Sequence, residues 1–535
     1  MFLSLLSIWL VVSIRWFALG AGSGQTGGLM SPARHAPDDQ LDAATWCRHL
    51  VPDGSVYAFL ADHRHELFPP ETFADVARRG GGHPSVPAEV VGSVMVLQAL
   101  EGLSDREAAS ALRRDIAWKV ACGLRLDDEG FHPTVLVYWR NRLRASARPR
   151  RVFDAVGQVV ESTGVLTGRG RRVLDSTVLE DAVATQDTVT QLVASIRRVR
   201  RLVPVARQVE LGAHDYERPG KPECAWDDPE AKQALVSGLV GDALAVLAAV
   251  ADLELDAEQA EAAALLALVA GQDVEPGERP GSWRIAQRVA KDRVVSTVDA
   301  QARHTRKTSA HRRDGYKAHL AAEPETGLVT ECALTAANAP DGPTGVELLD
   351  SEEPGLEVLG DSAYGGGETR AALTRAGHQQ TIKPLPLASP VPGGFTKHDF
   401  GIDQQAGTVV CPAGYQATIT ASGRASFARH CARCPLRRRC TTATGGRTIQ
   451  VHPHEDELRA ARRRATTRGF QQSYRRWRPM VERSIAWLVA DGCRRVPYHG
   501  IERNHLWLSV RVAALNLRRL LALGLARRDG AWALA

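Results

Sequence analysis

Three acidic residues of this 535-residue chain stand in contexts where carboxylates can converge on metal ions. Asp175 follows an apolar pair at 173–174, and we expect it in the polar cluster that ends a short strand. Asp361 comes just past a strand-like run at 356–360, and Glu482 lies in a helical stretch that begins near residue 468. Mg²⁺ prefers carboxylate oxygens, and two such ions about 3.5–4 Å apart can activate an attacking oxygen and neutralise a leaving oxygen. We therefore expect phosphodiester chemistry from these side chains, with two Mg²⁺ ions or with Mn²⁺ in their place.

Two further aspartates compete for the same role. Asp299 lies in the polar stretch 295–301, and Asp341 follows Asn338. Asp299 has no clear strand before it, and Asp341 has the surroundings of a loop residue. We therefore rank both below the three carboxylates as metal ligands.

Four of the nine cysteines are close together in the chain: Cys411, Cys431, Cys434 and Cys440. Four thiolates can close a tetrahedral zinc site, which would anchor a loop too polar to build its own core. The spacing to the last cysteine is longer than in a usual paired knuckle, so free thiols in a basic loop are the alternative. In either case Arg433 and the arginines at 437–439 place positive charge beside the cluster.

The positive charge of the chain is concentrated at one end. The net charge is +6, but the segment from Arg424 to the C-terminus has 24 arginines, no lysine and seven acidic residues, a balance of +17. Residues 209–280 have the opposite character, with 16 acidic and four basic residues. Because arginine neutralises phosphate and can bind it with two hydrogen bonds, the basic end predicts a polyanion partner. A solvated basic surface is the alternative.

The elements that position these residues begin with several short helices. Residues 40–155 have apolar positions at near-helical spacing, and Ser104 with Glu107 predicts a capping box at the start of one helix. A later helix begins near residue 132 and has a basic face that we expect to be exposed, formed by Arg140, Arg142 and Arg144. Such helices are typical of a helix-turn-helix-like module that binds DNA, and a plain helical bundle is the alternative.

Strands follow, and two insertions interrupt them. Strand-like runs occur at 171–178, 315–322, 327–335, 356–360 and 380–383. The helical stretch at about 189–290 includes an αα-hairpin capped by Asp256 and Gln259, and we interpret it as an insertion because it has no chemical motif. Residues 387–460 are rich in Pro and Gly and are predicted to be irregular, and helices are expected at 468–490 and 506–525. The pattern predicts an α/β fold: a mixed sheet flanked by helices, with an all-α N-terminal domain.

The first 29 residues differ from the rest of the chain. Residues 2–14 are largely apolar, but no basic segment precedes them and Arg15 follows. We interpret residues 1–29 as a mis-assigned extension with the true start at Met30, and a membrane anchor as the alternative. The scattered cysteines do not form a secreted disulfide framework, so we expect a cytoplasmic protein with no stable membrane association.

Five segments resemble the DDE transposases of bacterial insertion sequences. In chain order they are VLDST at 173–177, GYKAH at 315–319, LTAAN at 334–338, GDSAYG at 360–365 and RPMVE at 478–482. GHPSVP at 82–87 and LEGLSDRE at 100–107 are similar to the helical N-terminal domain of that cut-and-paste group. The resemblance covers roughly residues 40–525 and implies a ribonuclease-H-like catalytic core.

The resemblance also implies a role for each site residue. Asp175, Asp361 and Glu482 would be the catalytic, metal-binding carboxylates. DNA would contact Arg478 near the scissile phosphate, together with Tyr474, Trp477 and Arg483. Because Trp477 stands among arginines, it could stack on an unpaired base at a cleaved end, but we favour core packing for this residue.

The segment around Glu482 departs from the family pattern in two ways. Related signatures place a Tyr three residues before the Arg and a Lys seven residues after the Glu. Here Tyr474 is four residues before Arg478, and Val489 stands at the position of the Lys. Arg494 and Arg495 are therefore alternatives to Arg483 for the contact with phosphate.

The predicted organisation has five segments. They are the extension at 1–29, a helical DNA-binding domain at 40–155, the first part of the catalytic core at 168–386, a cysteine-containing basic insert at 387–460, and C-terminal core helices with Glu482 at 461–527.

The implied function is a DNA transposase that hydrolyses phosphodiester bonds at transposon ends with Mg²⁺ and transfers the 3′-hydroxyl into target DNA. The implied partners are terminal inverted repeats, target DNA and a second copy of the chain, at the nucleoid. A nuclease without strand transfer and an inactive DNA-binding derivative are the alternatives.

Overall fold

The computed structural model describes residues 41–76, 86–286, 290, 292–308 and 311–534. The predicted extension at 1–29 and residues 82–85 of the GHPSVP segment lie outside the described residues. The described chain combines helices with one six-stranded mixed sheet and several smaller sheets, as the α/β prediction expects. Short 3₁₀ turns occur at Arg48–Leu50, Pro70–Phe73, Ser362–Tyr364 and Lys397–Asp399.

Seven α-helices form the first part of the described chain: α1 (Ala43–Cys47), α2 (Val56–Leu67), α3 (Ala88–Glu101), α4 (Asp105–Arg114), α5 (Ile116–Cys122), α6 (Thr134–Ala145) and α7 (Arg151–Ser162). The predicted capping box is present at the start of α4, where Ser104 and Glu107 each accept a hydrogen bond from the backbone N–H of the other. The expectation of an exposed Arg140 is wrong, because its side chain is 10% exposed and pairs with Asp105. This ion pair joins α6 to the first turn of α4.

Strand β1 (Arg171–Glu180) begins the main sheet, and a helical insertion follows it. The insertion consists of α8 (Thr188–Leu202), α9 (Pro204–Gln208), α10 (Pro229–Val250), α11 (Ala257–Gln272), β2 (Val274–Pro276) and β3 (Trp283–Ile285). The predicted αα-hairpin is present, and Asp256 with Gln259 forms the capping box of α11. Among the described residues, α10 is the one helix long and apolar enough to cross a membrane. Its buried residues pack with those of α8 and α11 in one hydrophobic cluster, as those of a core helix do.

The main sheet is assembled from strands on either side of the insertion: β1, β4 (Arg303–Thr308), β5 (His311–Ala322), β6 (Val329–Ala336), β7 (Glu357–Gly360) and β8 (Gln379–Ile382). β1 lies between β5, to which it is antiparallel, and β7, to which it is parallel. β8 extends the parallel side, and β4 and β6 pair with β5 on the antiparallel side. Helices α12 (Asp341–Glu347) and α13 (Gly367–Arg375) accompany the parallel strands.

The glycine of the GYKAH segment is required where β5 meets β1. Gly315 has a φ of +144°, and a Cβ at this position would lie 2.2 Å from the carbonyl oxygen of Leu179. Real Cβ atoms do not approach backbone oxygens so closely, so a side chain here would push the two strands apart. The pairing that positions the middle of β1 therefore depends on this glycine.

Residues 387–460 were predicted to be irregular, and this prediction is wrong for the short strands and helices of the segment. Strands β9 (Gly401–Asp403), β10 (Thr408–Val410) and β11 (Gln416–Thr418) form one small sheet, and β12 (Arg424–Ser426) pairs with β13 (Thr448–Gln450). The short helices α14 (Ala428–Cys431) and α15 (Arg437–Cys440) lie between β12 and β13 in the chain. Each strand has only three residues, which is too short to produce a recognisable hydrophobic period.

Three helices and a hairpin complete the chain: α16 (Glu455–Ala465), α17 (Arg468–Leu488), α18 (Ile501–Ala522), β14 (Leu525–Arg528) and β15 (Ala531–Leu534). α18 is buried along most of its length and packs against α3, α7 and β6. From α18, Arg511 donates hydrogen bonds to carbonyl oxygens at the ends of two helices: Ala99 and Leu100 of α3, and Trp487, Leu488 and Ala490 at the end of α17. One buried guanidinium thus joins the N-terminal helices to the helix that carries Glu482.

Candidate active site

Asp175 lies in the middle of β1, which corrects the expectation that it would end a strand. β1 continues for five residues beyond it, paired with β5. On its other edge β1 pairs in parallel with β7, with Val173 opposite Leu359. Asp175 is two residues past Val173 and Asp361 is two residues past Leu359, so the register brings the two aspartates side by side where β7 ends.

Asp361 follows β7 directly, as predicted, and begins the 3₁₀ turn Ser362–Tyr364. Its Oδ1 accepts a hydrogen bond of 2.8 Å from the backbone N–H of Ala363, which orients the carboxylate. The side chain is partly exposed, and within the described residues its Oδ2 makes no hydrogen bond. A carboxylate with one oxygen fixed and the other open can bind an ion from solution.

Asp175 and Arg478 form a buried ion pair beside Asp361. Nη1 of Arg478 donates to Oδ2 of Asp175 at 3.0 Å, and Nη2 lies 2.9 Å from Oδ1. Burial raises the pKa of Asp175 above its ordinary value, while Arg478 acts in the opposite direction and the neighbouring Asp361 adds to the rise. Burial lowers the pKa of Arg478, but Asp175 and Tyr474 together raise it by more, so the guanidinium remains charged. The pair holds α17 against β1.

Glu482 is one helical turn beyond Arg478 and lies on the same side of α17. Its side chain is exposed and makes no hydrogen bond or ion pair within the described residues. The structure thus brings Asp175 and Asp361 together and leaves Glu482 out of contact with them. Across the described ranges, no group of three or more His, Cys, Asp or Glu side chains is placed to hold a metal ion as it stands.

The three further DNA-contact candidates on α17 differ in exposure. Arg483 is exposed, whereas Tyr474 and Trp477 are half-buried. Nζ of Lys383 lies 4.7 Å from the ring centre of Tyr474. Trp477 packs against the main hydrophobic cluster, and the guanidinium of Arg171 lies 4.8 Å from its ring centre. These contacts favour the packing interpretation of Trp477, and its stacking on a base stays a prediction.

The two alternative phosphate-binding arginines both make contacts within the protein. Nη1 of Arg494 donates to Oγ1 of Thr177 at 2.9 Å and to the carbonyl of Val178 at 3.0 Å. Nε of Arg495 donates to the carbonyl oxygen of Asp181 at 3.0 Å. They fasten the loop after α17 to the end of β1, close to the candidate site.

Asp341, which the sequence ranked low, belongs to a polar network beside β1. Asp341 is the first residue of α12, and its carboxylate accepts hydrogen bonds from Oγ of Ser176 at 2.5 Å and from Nζ of Lys317 at 3.3 Å. The carboxylate also lies 3.7 Å from Nδ1 of His319. The backbone N–H of Ser176 in turn donates to Oδ1 of Asp175 at 2.9 Å. The network therefore braces the residue next to Asp175. In the sequence, Lys317 and His319 of the GYKAH segment indicate this network, because residues two apart in a strand lie on the same face of the sheet.

Asp299 is a structural residue. Its carboxylate is buried and accepts a 2.6 Å hydrogen bond from the hydroxyl of Tyr316 on β5. It also accepts a 3.2 Å bond from the backbone N–H of Gly500, directly before α18. Asp299 thus joins the start of α18 to the main sheet.

The four clustered cysteines line one small cavity of about 20 Å³ in the unit formed by β9–β13. Cys431 and Cys440 are buried, the other two are partly buried, and all four are free thiols. Burial raises the pKa of Cys440, the cation of Arg447 lowers it, and the other three cysteines add to the rise. The backbone N–H of Arg447 also donates to Sγ of Cys431 at 3.4 Å. The four sulfur atoms therefore surround a common space, although they are not at the spacing of metal ligands.

Two family models match the chain. Residues 410–521 match the family described as Transposase DDE domain, and residues 47–142 match the family described as Transposase domain (DUF772). The first match includes the four cysteines, α17 and Glu482, and the second includes α2 to α5 and most of α6. No curated protein and no solved structure matches the chain. The two matches indicate a DDE-type transposase of the insertion-sequence kind.

Proposed function

We propose that the chain catalyses both hydrolysis of phosphodiester bonds at transposon ends and transfer of the resulting 3′-hydroxyl into target DNA. The observation that carries this proposal is the parallel register of β1 and β7, with Asp175 beside Asp361 and the helix of Glu482 fastened across β1 by Arg478. The strand order β6-β5-β1-β7-β8, with β1 antiparallel to β5 and parallel to β7, supports a ribonuclease-H-like core.

The residues at this site fit a hard divalent cation. Asp175 and Asp361 offer carboxylate oxygens from adjacent strands, and Glu482 is the third carboxylate of the proposal. Hard oxygen ligands are those that Mg²⁺ and Mn²⁺ prefer. When bound, a pair of such ions would activate the attacking oxygen and neutralise charge on the leaving oxygen. The network of Ser176 and Asp341 keeps the backbone beside Asp175 in place during both steps.

DNA would approach along the exposed side of α17. Arg475, Arg476 and Arg483 are exposed on this helix, and they belong to the segment with the balance of +17. Each arginine that neutralises a phosphate releases a counterion, so we expect affinity to fall steeply with salt. The helical N-terminal unit would bind the terminal inverted repeats, and a dimer would hold two transposon ends together.

The experiment is a strand-transfer assay with oligonucleotide duplexes taken from the inverted repeats that flank the gene. We expect joined products from pre-cleaved ends in Mg²⁺, and no products from Asp361→Asn. Asp350→Asn, an exposed aspartate away from the site, is the matched control and should retain activity. Cleavage without joining would replace the proposal by a nuclease. DNA binding with neither reaction would replace it by an inactive DNA-binding derivative.

We further propose a structural zinc ion at Cys411, Cys431, Cys434 and Cys440. The unit that contains them has only eight buried core residues, and two of these are Cys431 and Cys440. A core of this size gives little stability by itself, and a metal held by four thiolates would supply the rest. Zinc bound to the purified protein should be lost in Cys434→Ser and retained in Cys224→Ser, a partly buried cysteine outside the cluster. Equal zinc content in both variants would reject the proposal.

A further inference from the structure

Arg478 occupies the oxygens of Asp175 that a metal ion would use. Its two terminal nitrogens bridge Oδ1 and Oδ2 at 2.9 and 3.0 Å, and the side chains of the pair are 8% and 15% exposed. Oδ1 also accepts the backbone N–H of Ser176. A carboxylate has about four acceptor positions, and three are taken here. One position remains, and it lies beside a fixed positive charge.

A divalent cation at this position would be repelled by the guanidinium. The repulsion is strong because the pair is almost excluded from solvent, where charges are screened least. Within the described residues, Asp175 is the one carboxylate paired with Arg478, so the protein offers this guanidinium no second anion. An ion can bind strongly only when another negative group compensates Arg478 or draws it away.

The helix is weakened at the next residue. Pro479 lies inside α17 and has no N–H, so the hydrogen bond that would reach back to the carbonyl of Arg475 is missing. Nε of Arg478 is buried and has no hydrogen-bond partner among the described residues. In the part of the chain that the structure describes, Asp175 is thus the one charged partner of the guanidinium, which also interacts with the side chain of Tyr474, and Arg478 lies on a turn of helix with an incomplete hydrogen-bond ladder. This arrangement permits a change of partner at low cost.

We propose that Arg478 makes metal binding at Asp175 depend on DNA, by serving as the counter-ion of Asp175 in the free protein and of a DNA phosphate in the complex. This inference rests on the proposed function, because it concerns the same site. It implies that the free enzyme binds catalytic metal weakly and so does not cleave phosphodiesters at random. By thermodynamic linkage, metal must strengthen DNA binding by the same factor as DNA strengthens metal binding.

The test is Mn²⁺ binding followed by electron paramagnetic resonance, with and without a duplex whose scissile phosphate is replaced by an uncleavable analogue. For the wild-type protein we expect DNA to tighten Mn²⁺ binding at the site about 10-fold or more, within the usual range of coupling between two sites. Arg478→Gln should tighten Mn²⁺ binding to the free protein by a similar factor and remove most of the effect of DNA. Arg218→Gln, an exposed arginine of the helical insertion with no role at the site, is the control and should behave as the wild type.

The DNA complex of Asp361→Asn gives the background of Mn²⁺ bound elsewhere. The inference would be overturned if the wild type bound Mn²⁺ with equal affinity with and without DNA and if Asp361→Asn abolished this binding. The proposed function would then remain intact. If Asp361→Asn changes nothing in any state, the metal site of the proposed function itself fails. The wild-type comparison needs no variant, so a negative result overturns the inference even if Arg478→Gln does not fold. Arg478→Lys, which keeps the charge, should retain the dependence on DNA.

Discussion

Asp175 and Glu482, the first and last of the three carboxylates, are held by different means. Asp175 lies on a strand with neighbours on both edges, and its carboxylate is fixed by Arg478 and by a backbone N–H. Glu482 lies on the exposed side of a helix and has no partner within the described residues. The position of a strand residue follows from the backbone ladder, whereas that of Glu482 depends on how α17 is docked. Substitutions on the two sides should therefore affect stability differently.

The largest effect should be on catalysis. We expect Asp361→Asn and Glu482→Gln each to lower the rate of strand cleavage by about 10³-fold or more, since a loss of ~4 kcal/mol of transition-state stabilisation corresponds to that factor. Glu482→Gln should leave the melting temperature unchanged, because the side chain is exposed. Cleavage kinetics and thermal unfolding measure the two effects, with Glu502→Gln, also exposed and on a helix, as the control. Normal cleavage by Glu482→Gln would remove this residue from the site.

The docking of α17 should depend on Arg511 more than on any exposed arginine. Arg511→Met leaves carbonyl oxygens at the ends of α3 and α17 without a donor, so we expect the free energy of unfolding to fall by about 3 kcal/mol. Arg518→Met, on the exposed side of the same helix, should change it by less than about 0.5 kcal/mol. Denaturant titration provides the comparison. Similar stability of the two variants would mean that Arg511 does not hold the helix ends.

The stability of the sheet beside Asp175 should also depend on pH. Burial lowers the pKa of His319 to about 4, while Asp341 opposes the shift and Lys317 adds to it. An unfolded histidine titrates at pH ~6.5. Between pH ~6.5 and pH ~4, the histidine is therefore protonated in the unfolded chain but neutral in the folded protein. Stability should therefore fall as the pH is lowered through this window. His319→Gln should flatten this part of the curve of unfolding free energy against pH, and an unchanged slope would show that another group causes it.

The smallest effect should come from single arginines near the DNA. Arg483→Gln should reduce the slope of log affinity against log salt by about 1, as expected when one phosphate contact is lost, without changing stability. Arg494→Gln should do the reverse, because Arg494 bonds to Thr177 and Val178 within the protein. A loss of about 1 kcal/mol in the free energy of unfolding is expected from those bonds. Filter binding at several salt concentrations and denaturant titration separate the two residues.

Several features of the fold could be predicted because they depend on local patterns. The capping boxes of α4 and α11 follow from residue types three apart, and Asp361 was correctly expected just past its strand. The strand-like runs expected at 315–322 and 327–335 correspond to β5 and β6, which pair as antiparallel neighbours. Each of these features needs only a few neighbouring residues, and so a single sequence contains enough information.

Other features depend on contacts between distant segments. β1 extends beyond Asp175 because its polar residues pair with β5, although they resemble the end of a strand. Arg140 is largely shielded from solvent and pairs with Asp105, which is 35 residues away in the chain. The role of Asp341 beside Ser176 depends on the packing of α12 against the sheet. None of these contacts leaves a periodic pattern in the sequence.

The most direct test of the candidate site is a change of metal preference in Asp361→Cys. A thiolate at this position would bind hard Mg²⁺ poorly, whereas Mn²⁺ accepts sulfur more readily. If Asp361 binds the catalytic metal, the variant should give no strand-transfer product in Mg²⁺ and regain product in Mn²⁺. Wild-type rates of strand transfer by this variant in Mg²⁺ would contradict the account.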